Sequence, residues 1–249
     1  MLDVATRIAF GPLLIAQARR VRRDALELPE PRGPRRGAAG QGEPVLRLLV
    51  CGDSSAAGVG ARTQREALAR PLAQKLAQRL GGTVLWQLVA ESGLTSEGVL
   101  QKLKQERPQQ ADVAVVVVGV NDITNDVPLA FALRQRHQIA DWLHIHACVR
   151  QVVFPALPEM EQFPALPRPL AWYAGQAARR NNRAQQRWAA PLQGVSHLAM
   201  DGVAHPSLFC EDGFHPAPAL YARVADRLAD HIAALTAATA APQRNTETA

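Results

Sequence analysis

Cysteine is scarce in this 249-residue chain, limited to Cys51, Cys148 and Cys210, an odd number without C-x-x-C spacing. That scarcity excludes a disulfide framework and a cysteine-based zinc site, and it fits a reducing compartment. Aromatic residues are also sparse, at 5%. The basic excess of 28 Lys+Arg over 22 Asp+Glu therefore has no interleaved Phe or Tyr to stack on bases, and no nucleic-acid partner is expected. Lysine occurs only at Lys75, Lys102 and Lys104, so arginine carries the remaining positive charge. An apolar run long enough to span a bilayer is missing at the amino terminus. Ile8 to Ala16, interrupted by Pro12, falls well short of the roughly 20 residues required.

The order of charge around that run is informative. Only Arg7 precedes it, whereas Arg19, Arg20, Arg22 and Arg23 follow it, which inverts the layout of a secretory signal peptide. Residues 1–26 are expected to form a helix with one of two roles. It packs on the domain, or it lies peripherally on an anionic membrane surface with its arginines on the headgroups. The expected location is the cytoplasm, with a seat at the inner face of the membrane in the second case. Residues 27–44, rich in Pro and Gly, read as a flexible linker. The main domain is expected over 45–236, and the Thr/Ala-rich end, 237–249, as a disordered tail.

An apolar fraction of 47% supports a sizeable core. Short apolar runs, Val45 to Cys51, Thr83 to Ala90, Asp112 to Val118, Ala147 to Phe154 and Val195 to Met200, suit strands covered on both faces. Between and after them, Gln64 to Leu80, Ser96 to Gln105, Pro128 to His146, Pro169 to Ala190 and Pro216 to Leu235 carry good helix formers. The alternation predicts an α/β domain, a doubly wound, flavodoxin-like, five-stranded parallel sheet with helices on both faces. In such sheets ligands bind beyond the carboxyl ends of the strands.

The post-strand segments carry the chemistry. Gly52-Asp53-Ser54 is followed by small residues that leave the Ser54 hydroxyl unshielded. Glu91-Ser92-Gly93-Leu94 puts Gly93 at a turn, Gly119-Val120-Asn121-Asp122 supplies a side-chain amide, and Asp212-Gly213-Phe214-His215 sets a carboxylate and an imidazole on one loop. A nucleophile, a base, an orienter and oxyanion donors are the set that acyl transfer through a serine requires. A nucleotide P-loop is excluded, since no Lys stands in place after Gly58 or Gly60, and no G-x-S-x-G elbow occurs. His144 and His146 lie on different faces of a helix, and no metal or other cofactor is expected.

These blocks, in this order, resemble the SGNH hydrolases, also called the GDSL esterase/lipase family, over roughly 45–235. The stretch Ser92 to Gly98 is particularly similar to the bacterial thioesterase I/lysophospholipase branch. Ser55 departs from the Leu or Tyr usual after the serine. The resemblance implies Ser54 as nucleophile, His215 as base, Asp212 as orienter, and the Ser54 and Gly93 backbone N–H groups with the Asn121 side chain as oxyanion hole. Asp53 is expected to hold its loop rather than act as a second base, with Asp122 open to either role. The expected activity is hydrolysis of small-molecule acyl esters or thioesters through an acyl-enzyme. The alternatives are a carbohydrate O-acetylesterase and, from another class, a catalytically silent flavodoxin-like binding module. Leu157, Met160 and Phe163, on the apolar, Pro-rich stretch after the fourth strand, are the expected acyl-chain contacts.

Overall fold

The computed structural model describes residues 2–240. In chain order the elements are α1 (Leu2–Asp24), β1 (Arg36–Ala39), β2 (Pro44–Gly52), α2 (Ser54–Ala57), α3 (Ala69–Leu80), β3 (Thr83–Ala90), α4 (Ser96–Glu106), β4 (Val113–Val117), α5 (Val120–Thr124), α6 (Leu129–His146), β5 (Gln151–Pro155), α7 (Leu170–Ala189), β6 (Val195–Leu198) and α8 (Pro218–Ala240). The sheet order is β1-β3-β2-β4-β5-β6, with β2 to β6 parallel and β1 antiparallel to β3.

Strand alternation explains the two covered faces. Leu46, Leu48 and Val50 of β2 point into one apolar cluster with α3 and α8, while Leu49 and Cys51 point into the other with α4 and α6. β4 divides likewise, Val113 and Val115 against Ala114 and Val116. Successive side chains on a strand face opposite ways, so a run apolar at every position must be covered on both sides. Leu72 and Leu76 of α3 meet Leu228 and Ile232 of α8 in complete burial, each worth about 1.5–3 kcal/mol in transfer from water. The ion pairs on the rim of that interface, Lys75 with Asp226 at 2.6 Å and Arg79 with Asp230 at 2.8 Å, are solvated and add little.

The sheet has six strands where five were expected. The additional strand lies in the stretch 27–44 expected to be a linker. Arg36–Ala39 pairs with Val84–Gln87 of β3, and the pairing is extended by Leu88 N–H donating to Arg35 O at 2.7 Å. Nothing in its composition marks a strand, since most of it is exposed. The open edge of β3 supplies the hydrogen-bond partners that make it one. Of the expected tail, 237–240 completes α8 and the remainder lies outside the described residues.

The chain leaves β2 to form β3 on one side and later β4 on the other. The crevice beyond their carboxyl ends is thus a topological switch point. Ser54 follows β2, Gly93 follows β3 and Asn121 follows β4, so strand order alone gathers them.

Because β1 and its flanks are bound to the sheet edge, a chain starting at Leu26 should fold with near-native stability. One starting at Pro44 should lose at least about 1 kcal/mol, a Tm fall of roughly 2–4 °C. Calorimetry of the two truncations measures the difference, and equal Tm values would contradict the role given to β1.

Candidate active site

Ser54 begins α2, a single helical turn. Its cap Asp53 accepts a hydrogen bond from Ser55 N–H at 2.9 Å, and Gly58 closes the turn in the left-handed region at φ 96°. Gly52, at φ 151°, lets the chain turn against β4. A Cβ there would lie 1.9 Å from Val117 O, the carbonyl of the neighbouring strand. Gly60, at φ 102°, serves the approach of the opposite loop, because a Cβ would come within 2.2 Å of Pro216 O and 2.7 Å of Cys210 Sγ. Tyr221 Oη of α8 donates to Val59 O at 2.7 Å and ties the same segment down.

Across the crevice, Asp212 organises its own loop. Its Oδ1 accepts from Phe214 N–H at 2.9 Å and His215 N–H at 3.0 Å, while its Oδ2 accepts from His215 Nδ1 at 2.5 Å. With Nδ1 as donor, His215 Nε2 is the acceptor and stands 2.9 Å from Ser54 Oγ. The carboxylate thereby fixes the tautomer that a base facing the serine needs. Ser54 is 9% exposed, which shields the hydroxyl and leaves it reachable from the crevice.

The two other loops border the same cleft. Gly93 adopts φ 83° with open space before its Cα. Asn121 Nδ2 donates to Leu94 O at 3.0 Å, which locks the amide onto the Gly93 turn. Ser54, Gly93, Asn121 and His215 line one cleft. The structure thus brings together every residue expected for triad and oxyanion hole. Leu157 and Phe163 line a small apolar cavity behind Ser54, whereas Met160, fully buried beneath them, lines the main cleft.

Asp53 and Asp122 hold structure. Asp53 is buried, and burial pushes its carboxyl up to about 7. Asp122 accepts from Ser96 N–H at 2.8 Å, Ser96 Oγ at 2.5 Å and Arg136 Nη2 at 3.1 Å. Arg136 is 0% exposed and also donates through Nη1 to Asn181 Oδ1 and Gln185 Oε1, both at 2.7 Å. Cys51 is fully buried, and burial pushes its thiol up to about 12, which makes it packing material and not a second nucleophile. His144 Nδ1 contacts Val149 O at 2.7 Å, and no metal-binding cluster occurs among the described residues.

Sequence reasoning missed three contributors. Glu30, in the expected linker, accepts from Ser92 N–H at 2.8 Å and Ser92 Oγ at 3.0 Å and so steadies the turn that presents Gly93. It is itself ion-paired with Arg35. Arg136 was missed because a lone Arg on a helix reads as solvated. Helix α1 is expected from the sequence to pack on the domain or to lie on a membrane, with no part in the site assigned to it, and Gly11, Leu14 and Ala18 line the cleft that contains Ser54. It is held by Gln17 Nε2 donating to Arg168 O at 2.8 Å, by Leu170 N–H donating to Gln17 Oε1 at 3.1 Å and by Arg22 donating to Thr124 O.

At the switch point of a doubly wound α/β sheet, a Ser, a His and an Asp are hydrogen-bonded in series, the arrangement of a Ser-His-Asp triad. The model of the GDSL-like lipase/acylhydrolase family matches residues 50–223, and the chain belongs to that family. It is 30% identical over 191 residues to a GDSL-like esterase of Mycobacterium tuberculosis, a match covering 74% of this chain and 60% of that relative's length. Among solved structures, Est24, a carbohydrate acetylesterase from Sinorhizobium meliloti, has a TM-score of 0.59 at 16% identity over 76% of this chain and 99% of that one. TesA has a TM-score of 0.55 at 22% identity over 73% and 95%. At these identities the two share the fold.

Removing one partner of a buried ion pair leaves the other charge uncompensated. Arg136→Met should therefore cost about 3–5 kcal/mol in urea denaturation. A loss below 1 kcal/mol would show that Asp122 is held by Ser96 alone.

Proposed function

We propose that this chain hydrolyses carboxylic esters and thioesters through an acyl-enzyme on Ser54. The observation that carries the reading is the continuous hydrogen-bond series from Asp212 through His215 to Ser54 Oγ. Ser54 Oγ attacks the acyl carbonyl carbon as its proton passes to His215 Nε2, and the carbonyl π electrons move onto oxygen. That charge meets the Ser54 and Gly93 N–H groups and the Asn121 amide, each such donor being worth about 2.7–4 kcal/mol of barrier. Collapse breaks the C–O or C–S bond, and the leaving group takes the proton from Nε2. Water then attacks the acyl-enzyme, gives a proton to His215 and releases the acid, and Ser54 recovers its hydrogen. Asp212 stays ionised throughout and stabilises the imidazolium.

Leu157 and Phe163 are read as acyl contacts, because they line the cavity next to Ser54, with Met160 supporting them from below. The relatives include a carbohydrate acetylesterase, which favours acetyl transfer from sugars as the second reading. The free cysteines fit the cytoplasm. No helix among the described residues is long and apolar enough to cross a membrane. Phe10 and Leu13, adjacent and exposed on α1, with the exposed Arg20 and Arg23, are the side chains that would rest weakly on anionic lipid.

A fluorophosphonate should label Ser54 stoichiometrically. Ser54→Ala should abolish labelling and lower kcat for p-nitrophenyl acetate by roughly 10⁶-fold with Tm unchanged. A variant keeping a tenth of the turnover would overturn the mechanism. The lipid contact predicts sedimentation with anionic vesicles at low salt that higher salt releases. Sedimentation insensitive to salt, or none at low salt, counts against it.

A further inference from the structure

Two spaces meet at Ser54, and they differ in size, lining and access to the base. One is an apolar cavity of about 100 Å³ walled by Val117, Ala156, Leu157, Phe163, Met200 and Val203. The other is an open cleft of about 1530 Å³, walled by Leu14, Ile15 and Ala18 of α1 together with Tyr173, Phe214 and His215. Ser54, Asn121 and Phe214 border both, so the boundary between the spaces passes through the reacting carbon.

The position of His215 decides which half of an ester each space receives. The imidazole must deliver its proton to the leaving oxygen or sulfur, and it lines the large cleft and not the small cavity. The leaving group therefore lies in the cleft under α1, and the acyl chain enters the cavity. Apolar cavities of about 150 Å³ hold one benzene, so a cavity of about 100 Å³ takes fewer than six carbons. The cleft, in contrast, exceeds the 300–1,000 Å³ typical of sites for drug-sized ligands.

Resting on the acyl-enzyme reading above, we infer that the substrates are short-chain acyl esters, acetyl to butyryl, of a bulky and partly apolar alcohol or thiol, with α1 forming one wall of the leaving-group site. Chain length is limited by the small volume available on the acid side. Size on the alcohol side is selected for by surface that a small alcohol cannot cover.

The full-length protein is assayed with p-nitrophenyl esters from acetate to decanoate, and with ethyl acetate against 2-naphthylethyl acetate, whose alcohols are similarly acidic. A methylene that does not fit changes discrimination about 10–200-fold. The expected results are a fall in kcat/KM of at least tenfold from butyrate to octanoate, and a gain of at least tenfold from ethyl to naphthylethyl acetate. Met200→Ala, which widens the cavity, should move the preference toward hexanoate. Ala18→Trp should shift the naphthylethyl-to-ethyl ratio at least tenfold downward. Should either variant fail to fold, the wild-type series decides. Octanoate or decanoate turned over as fast as butyrate would overturn the acid-side limit, and equal rates for the two acetates would overturn the leaving-group site. In both cases fluorophosphonate labelling of Ser54 would show the hydrolase reading intact. Failure of labelling together with failure on every ester would bring down that reading itself.

Discussion

The Asp122 carboxylate is a charge placed where water cannot reach it, and the arrangement of the site follows from how that charge is satisfied. Its oxygens take the backbone and hydroxyl of Ser96 at the start of α4 and the guanidinium of Arg136 from α6. Arg136 in turn is held by Asn181 and Gln185 of α7. The loop after β3, the loop after β4 and two covering helices thus share one network. Gly93 and Asn121, three residues before Ser96 and one before Asp122, have little freedom to move apart. Oxyanion donors help only if they are already in place when charge develops. A buried ion pair contributes little net stability, and its value here lies in the geometry it imposes.

The segment ahead of the sheet has the same character. Glu30 braces the Gly93 turn, β1 covers the edge of β3, and α1 walls the cleft. A stretch that looks detachable is coupled to the chemistry through polar contacts at a few points. On the opposite side, the carboxyl-terminal half supplies the base from a loop whose shape is set by Asp212 and whose approach to Ser54 depends on Gly60. The nucleophile is thus gripped between segments far apart in the chain, which is why a single helical turn suffices to carry it.

Much of this was legible in the residues themselves. Short apolar runs rich in Val, as in Val113 to Val117, suit buried strands covered on both faces, and their alternation with helix-forming stretches points to a parallel sheet. The side chains that do chemistry also announce themselves, because Ser54, Gly93, Asn121 and His215 each stand directly after a strand or just before the last helix, where short-range turn chemistry fixes their neighbours. What tertiary structure alone decided was every feature that depends on a partner distant in the chain. Arg36–Ala39 becomes a strand only because β3 has an unpaired edge, and Arg136 is buried only because Asp122, Asn181 and Gln185 arrive from other elements. The division of the site into a small apolar cavity and a large cleft belongs to the same category. Local patterns determine what a segment prefers, whereas edges, buried charges and cavity walls are created by packing, and packing is not written in any one segment.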